Sequence, residues 1–134
     1  MSINRCPNCR KENTFAPWEG SDERFGVSFL ARGERCGSCG ETLYSFEELG
    51  RQDKLVALGI ANRGIRNGKE FRFVRKATDL KATEVGELLD VTAETISRWE
   101  NEKLAIPRYA AFIVGELVTH PKDTRRRLEQ LVAR

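Results

Sequence analysis

The sequence contains a single histidine and no cysteine outside two matched pairs, and both facts limit the catalytic chemistry that the protein can perform. Its 134 residues include one histidine, His120, and four cysteines, all within the first forty positions. The cysteines form matched pairs, so none is left over to act as a nucleophile beside His120, and no Ser–His–Asp set is present. We therefore predict that the protein is not an enzyme.

The chain also lacks the features of membrane, secreted and disordered proteins. No apolar run approaches the roughly 20 residues that a transmembrane helix needs, and the opening MSINRCPNC has no apolar core of a signal peptide. Charged residues make up 32% of the chain, and the net charge of +3 is not concentrated in a tail. We expect a cytoplasmic protein with no membrane partner, in a compartment where structural disulfides are rare.

The four cysteines form two C-x-x-C pairs. CPNC supplies Cys6 and Cys9, CGSC supplies Cys36 and Cys39, and 26 residues separate the pairs. Four thiolates suit a tetrahedral zinc ion, whereas iron in a similar cage and a redox dithiol are the alternatives. A segment of about forty-five residues buries too little apolar surface to fold unaided. We therefore predict one structural Zn²⁺ per chain, bound as the segment folds.

Short strands and one helix are expected around these pairs. Alternating apolar residues in ERFGVSF predict a strand through Phe25, Val27 and Phe29. Ser45 and Glu48 have the spacing of a capping box, which predicts a helix over 46–62. Its apolar side is expected to carry Leu49, Val56 and Ile60. Residues 1–62 thus read as a small β zinc ribbon followed by a helix, and the glycine-containing, basic segment 63–68 reads as a linker.

The second half, residues 69–134, has helical periodicity throughout and predicts an all-α domain of five helices. The whole chain is therefore expected to be an α+β protein of two domains. Over 85–100, two short helices are joined by the tight turn LLDVT, and Gly86 would let them cross closely. This is the pattern of a helix-turn-helix, whose second helix enters the major groove of DNA. In the alternative, a plain helical bundle, the same residues would only pack.

Charge is divided unevenly between the two halves. Residues 1–62 carry a net charge of −1 and residues 63–134 carry +4, which together give the +3 of the chain. A basic excess alone indicates little, but beside a helix-turn-helix pattern it favours nucleic acid as a partner of the second half.

The stretch FRFVRKATDLKATEVGELLDVTAETISRWENEKLAIP resembles the DNA-binding domain of the XRE/Cro-repressor family, most specifically in TISRWENEK. The whole chain is similar to the MqsA-type, or YgiT-type, antitoxins. It has CPNC, the aromatic segment ERFGVSF, CGSCGE, a helix, a linker, the repressor-like domain and a late THP, in that order.

The resemblance implies a type II antitoxin. Its zinc domain would neutralise a small ribonuclease toxin, and its helix-turn-helix domain would dimerise, bind a palindromic operator and repress its own operon. The resemblance also makes Cys6, Cys9, Cys36 and Cys39 the zinc ligands. The alternative is a free-standing, zinc-containing XRE-family transcriptional regulator that has no toxin partner.

Individual residues of the second domain are carried over by position. Arg98 matches a base-reading arginine, whereas Glu94 stands where the family commonly has asparagine or glutamine, which leaves the operator sequence open. Lys81 replaces the usual Ser/Thr cap of the first motif helix, and Arg75 and Glu100 are implied to form a structural ion pair. The residues expected to contact DNA are Thr92, Ala93, Glu94, Thr95, Arg98 and Lys103.

Overall fold

The computed structural model describes residues 4–132, and their side chains as far as Leu131. These residues form an α+β structure in which a three-stranded antiparallel sheet is followed by six helices. Residues 1–3 and 133–134, at the outer ends of the two predicted domains, lie outside the described part. No helix among the described residues has the length and apolarity that crossing a membrane requires.

The chain divides into two compact units, Met1–Asp53 and Lys54–Arg134. The elements are β1 (Phe15–Arg24), β2 (Val27–Cys36), β3 (Thr42–Leu43), α1 (Phe46–Arg63), α2 (Gly68–Ala77), α3 (Ala82–Leu89), α4 (Ala93–Glu100), α5 (Arg108–Thr119) and α6 (Pro121–Val132). The division between the units falls within α1, so it does not coincide with the predicted linker at 63–68. That this segment separates two functional parts of the chain remains a prediction. One helix after the sheet and five more were expected, and six are found.

A long hairpin dominates the first unit. Strands β1 and β2 pair antiparallel from Arg24↔Val27 at the turn to Phe15↔Cys36 at the far end. Phe25 and Gly26 form the turn with φ of 53° and 76°, the left-handed pair that two-residue hairpins favour. The predicted strand through Phe25 is therefore wrong at that residue, because Phe25 lies in the turn and the second strand begins at Val27.

The start of α1 is fixed to the sheet by Glu48. The Ser45 hydroxyl accepts from the Glu48 backbone N–H at 3.1 Å, as an N-cap should. The Glu48 carboxylate does not complete the predicted capping box. It accepts instead from the Arg32 backbone N–H at 2.9 Å and from Arg51, which also donates to the Leu30 carbonyl at 2.6 Å. The carboxylate thus links the helix to β2.

The helices of the second unit enclose one apolar core. Its buried apolar side chains include Val56, Ile60, Phe71, Val74, Leu80, Val85, Leu89, Ile96, Trp99, Val114 and Leu117. Beside this core, the largely buried Arg75 donates to both carboxylate oxygens of the buried Glu100, at 2.7 and 2.9 Å. This bidentate pair confirms the ion pair expected from the resemblance, and it joins α2 to the end of α4.

The segment before α2 is held by hydrogen bonds. Glu70, which is buried, accepts from Arg63 at 2.8 Å and from the Arg66 backbone N–H at 2.9 Å. Asn67 caps α2 by accepting from the Glu70 N–H. Gly68 lies so close to α4 that a Cβ atom placed on it would be 2.6 Å from the Glu100 carbonyl oxygen. A residue without a side chain is needed at this position for the close approach to α4. The prediction of a linker over 63–68 did not include this packing.

Candidate metal centre and nucleic-acid interface

The two C-x-x-C segments fold into nearly identical turns. In the first, Cys6 N–H donates to the Lys11 carbonyl at 3.0 Å and Arg10 N–H donates to the Cys6 carbonyl at 2.9 Å. In the second, Cys36 and Gly40 repeat both bonds, at 2.8 and 2.9 Å. Arg10 and Gly40 occupy the matching place and both are left-handed, with φ of 65° and 81°. Glycine suits this position, whereas arginine is strained there.

The turns bring all four predicted ligands to one point. The Cys6 and Cys39 sulfurs are 3.6 Å apart, the Cys9 and Cys36 sulfurs are 3.7 Å apart, and all four lie within 4.8 Å of one another. A tetrahedral ion with metal–sulfur bonds of about 2.3 Å requires sulfurs about 3.8 Å apart. A disulfide would require about 2.05 Å, and the cysteines are free thiols. The four side chains therefore fit one metal ion.

The surroundings of the sulfurs differ between the pairs. A 3.0 Å hydrogen bond with the Thr14 hydroxyl is the main reason why the pKa of Cys36 is lowered to about 6. At Cys9, the Lys11 backbone N–H lowers the pKa, but burial and the neighbouring thiols outweigh it and raise the pKa to about 11. Binding of a metal cation would favour the thiolate form of all four cysteines.

Thr14 is a site residue that sequence reasoning missed. Besides its contact with Cys36, its carbonyl accepts from the Gly37 N–H at 2.8 Å and so continues the hairpin pairing beyond β2. A threonine before an aromatic strand carries no signal of this role, because the role depends on the register that places it beside the second cysteine pair.

In the second unit, α3 and α4 are joined by a tight turn built around Gly86. Asp90 is left-handed with φ of 58°, and Val91 N–H donates to the Gly86 carbonyl at 2.9 Å. A Cβ atom on Gly86 would lie 2.6 Å from the Val91 carbonyl oxygen. The absence of a side chain therefore lets the turn close, as predicted. Lys81 precedes α3 without a side-chain cap, although its N–H donates to the Glu84 carboxylate at 3.2 Å.

One face of α4 is buried and the opposite face is open. Ile96 and Trp99 point into the core, where the Trp99 ring meets Phe71 edge to face at 6.0 Å between centroids. On the open face, Arg98 donates to the Glu94 carboxylate at 3.1 Å, with side chains 50% and 73% exposed. The pair was missed as a unit, although the i, i+4 spacing of glutamate and arginine is a known signal.

The other predicted DNA contacts lie around this face. Thr92 is exposed and caps α4, its hydroxyl accepting from the Thr95 N–H at 3.1 Å. Ala93 and Thr95 are half-buried, and Lys103 is exposed just beyond the helix. The structure therefore brings these six residues into one region, and contact with DNA remains a prediction for each of them.

Comparison with known proteins leaves the family open. No protein-family model matches the chain, and no curated protein matches it.

Proposed function

We propose that the protein is the antitoxin of a type II toxin–antitoxin system. Its N-terminal metal-binding part neutralises a small ribonuclease toxin, and its C-terminal part binds a palindromic operator as a homodimer and represses its own operon. In this proposal α3 and α4 are a helix-turn-helix, and the first unit is a zinc ribbon holding one structural Zn²⁺.

The observation that carries the proposal is the arrangement of α4. Its inner face is fixed by Ile96 and Trp99, its start is pressed against α3 at Gly86, and its outer face presents Thr95 and Arg98. A short, exposed helix on a rigid support is what reading the major groove requires. The net charge of +4 on residues 63–134 adds attraction for phosphate.

The ligand set supports zinc as the ion. Four cysteine thiolates at tetrahedral spacing form a closed site, typical of structural zinc and leaving no open position for catalysis. When bound, the ion would link the two C-x-x-C turns and stabilise the small first unit. Zinc content measured on the purified protein tests this assignment, and bound iron in its place would contradict it.

The first unit also has a surface suited to a protein partner. Phe46, at the first position of α1, is 93% exposed, and Leu30 and Leu49 are each nearly half exposed. Large exposed apolar side chains are typical anchors of protein interfaces. With a net charge of −1, residues 1–62 suit a basic ribonuclease better than they suit nucleic acid.

The DNA-binding and partner-binding activities are tested with two variants, each of which should impair only one of them. Full-length Arg98→Ala and Phe46→Ala are compared with the wild-type chain for binding to DNA upstream of the gene and to the product of the adjacent reading frame. Arg98→Ala should lose specific DNA binding and keep the protein partner, because Arg98 is exposed on α4. Phe46→Ala should lose binding to the protein partner and keep specific DNA binding.

Each outcome decides a part of the proposal. Failure of the wild-type chain to prefer upstream DNA over scrambled DNA would refute the repressor role. Specific DNA binding without any binding or neutralisation of the adjacent gene product would refute the antitoxin role and favour the free-standing regulator.

A further inference from the structure

The Glu94–Arg98 ion pair occupies the outermost line of α4. With 3.6 residues per turn, positions four apart differ by only about 40° around a helix and by about 6 Å along it. Both residues lie opposite the buried Ile96 and Trp99, so their side chains project farthest from the core. A groove-binding helix in this orientation would therefore present these two side chains to the base edges first.

The pair retains unused hydrogen-bonding capacity. A single bond, from Arg98 Nη2 to Glu94 Oε1 at 3.1 Å, joins the two groups. A carboxylate has two oxygens and a guanidinium has five N–H donors, so each can bind a base without releasing the other. As an exposed pair, it contributes little to the stability of the helix, which leaves its chemistry free for recognition.

We propose, building on the proposed DNA-binding function, that Glu94 and Arg98 read the operator as one unit. Glu94 accepts from cytosine N4, and Arg98 donates to guanine O6 and N7. The ion pair fixes the two groups side by side, so each half-site carries a cytosine and a guanine no more than one base-pair step apart.

The chemistry favours cytosine over the other bases at the Glu94 position. The major-groove edges of guanine and thymine present only acceptors, which repel a carboxylate, and adenine places the N7 acceptor beside its N6 donor, so cytosine N4 is the donor that an acceptor-only group matches best. The carboxylate also repels phosphate, so Glu94 should lower affinity for random DNA while it raises selectivity. A glutamine in its place is neutral and bonds adenine N6 and N7 in a bidentate manner.

The experiment is selection of full-length protein on randomised duplex DNA, followed by titration of the recovered sites at two salt concentrations. Wild type is compared with Glu94→Gln, Arg98→Ala and the charge-matched control Glu87→Gln, which removes an exposed carboxylate from α3. Far-UV circular dichroism of each variant verifies that it is folded.

The expected result is a change of base, not only of affinity. Wild type should enrich cytosine and guanine within one step of each other in both half-sites. Glu94→Gln should replace the cytosine preference with adenine by on the order of tenfold and keep the guanine. Arg98→Ala should lose the guanine preference, whereas Glu87→Gln should change general affinity and keep both bases.

Two results would overturn the inference. In the first, Glu94→Gln selects the wild-type bases, which would reduce Glu94 to a support for Arg98. In the second, wild type selects a half-site without cytosine beside guanine. Absence of any enriched sequence for the wild-type protein would instead refute the proposed DNA-binding function, and the inference with it.

Discussion

Replacing Gly86 by alanine tests whether the close approach of α3 and α4 is structurally required. The added Cβ would lie 2.6 Å from the Val91 carbonyl oxygen, and 3.4 and 3.5 Å from the next backbone atoms of the turn. Carbon–oxygen contacts are comfortable at about 3.3 Å or more, so the turn must move by about 0.7 Å. The nearest atoms are backbone, which has no rotamer by which to yield.

Two energies oppose each other at this position. Alanine is favoured over glycine inside a helix by about 1 kcal/mol, whereas overpacking a close contact costs about 1–3 kcal/mol. Gly115→Ala in α5 is the matched control, because the nearest atom to its new Cβ, the Ala61 carbonyl oxygen, lies at an ordinary 3.6 Å. We expect Gly86→Ala to be about 1–3 kcal/mol less stable than Gly115→Ala.

Urea unfolding followed by Trp99 fluorescence measures this difference within the second unit. The chain has two tryptophans, so the background substitution Trp18→Phe leaves Trp99, which is buried against Phe71, as the reporter. Equal unfolding free energies for the two alanine variants would show that the Gly86 contact is not tight. Operator affinity should fall with Gly86→Ala and not with Gly115→Ala, because only the first displaces α4.

Three further predictions concern the metal site and the buried carboxylates. Cys36→Ser, or zinc removal by a chelator, should abolish the strand signal in far-UV circular dichroism while Trp99 fluorescence keeps its folded value, and an unchanged strand signal would contradict a structural metal. Glu100→Ala should destabilise the second unit by about 3–5 kcal/mol, because it leaves the largely buried Arg75 charge without its carboxylate partner. The double change Arg75→Met with Glu100→Leu should cost less stability, and equal losses of the two variants in urea unfolding would argue against that charge penalty. Burial raises the pKa of Glu70, but hydrogen bonds from Arg63 and Arg66 outweigh it and hold the pKa at about 2, below the ordinary 4.5. The ionised Glu70 carboxylate therefore contributes fully to stability above about pH 4.5, and this contribution is lost as the pH falls through 2. Urea midpoints from pH 6 to 2.5 should therefore fall less steeply for Glu70→Gln than for wild type, and parallel curves would be the contrary result.

Local signals in the sequence predicted the cysteine cluster and the helices well. C-x-x-C pairs close within a few residues, so Cys6 and Cys36 begin matching turns wherever the rest of the chain goes. The cap at Ser45 and the helix from Phe46 likewise depend on neighbouring residues, and the observed end at Arg63 is one residue beyond the prediction.

Long-range choices could not be predicted in this way. Glu48 has the spacing of a capping box, yet its carboxylate binds β2, because a strand N–H and Arg51 compete for it more effectively. Leu49 fits the apolar periodicity of α1 and is nevertheless 41% exposed, unlike Val56 and Ile60. Gly68 lies in the predicted linker, and only its packing against α4 shows why a side chain cannot be placed there.

The register of the hairpin has a consequence for the rate at which the metal is captured. Although the metal-free strands are not expected to stay paired, each transient pairing that runs from the Phe25–Gly26 turn to Phe15↔Cys36 would carry the second cysteine pair to the first. A hairpin of this kind closes in about 1–10 μs, so an arriving ion does not itself have to close the long loop between Cys9 and Cys36. A slip of one residue would turn Cys36 to the opposite side of the sheet. We therefore expect the two turn residues, at the opposite end of the hairpin from Cys36, to influence the association rate of the ion, and a β-branched residue at Gly26 to slow metal capture while the four sulfurs stay unchanged.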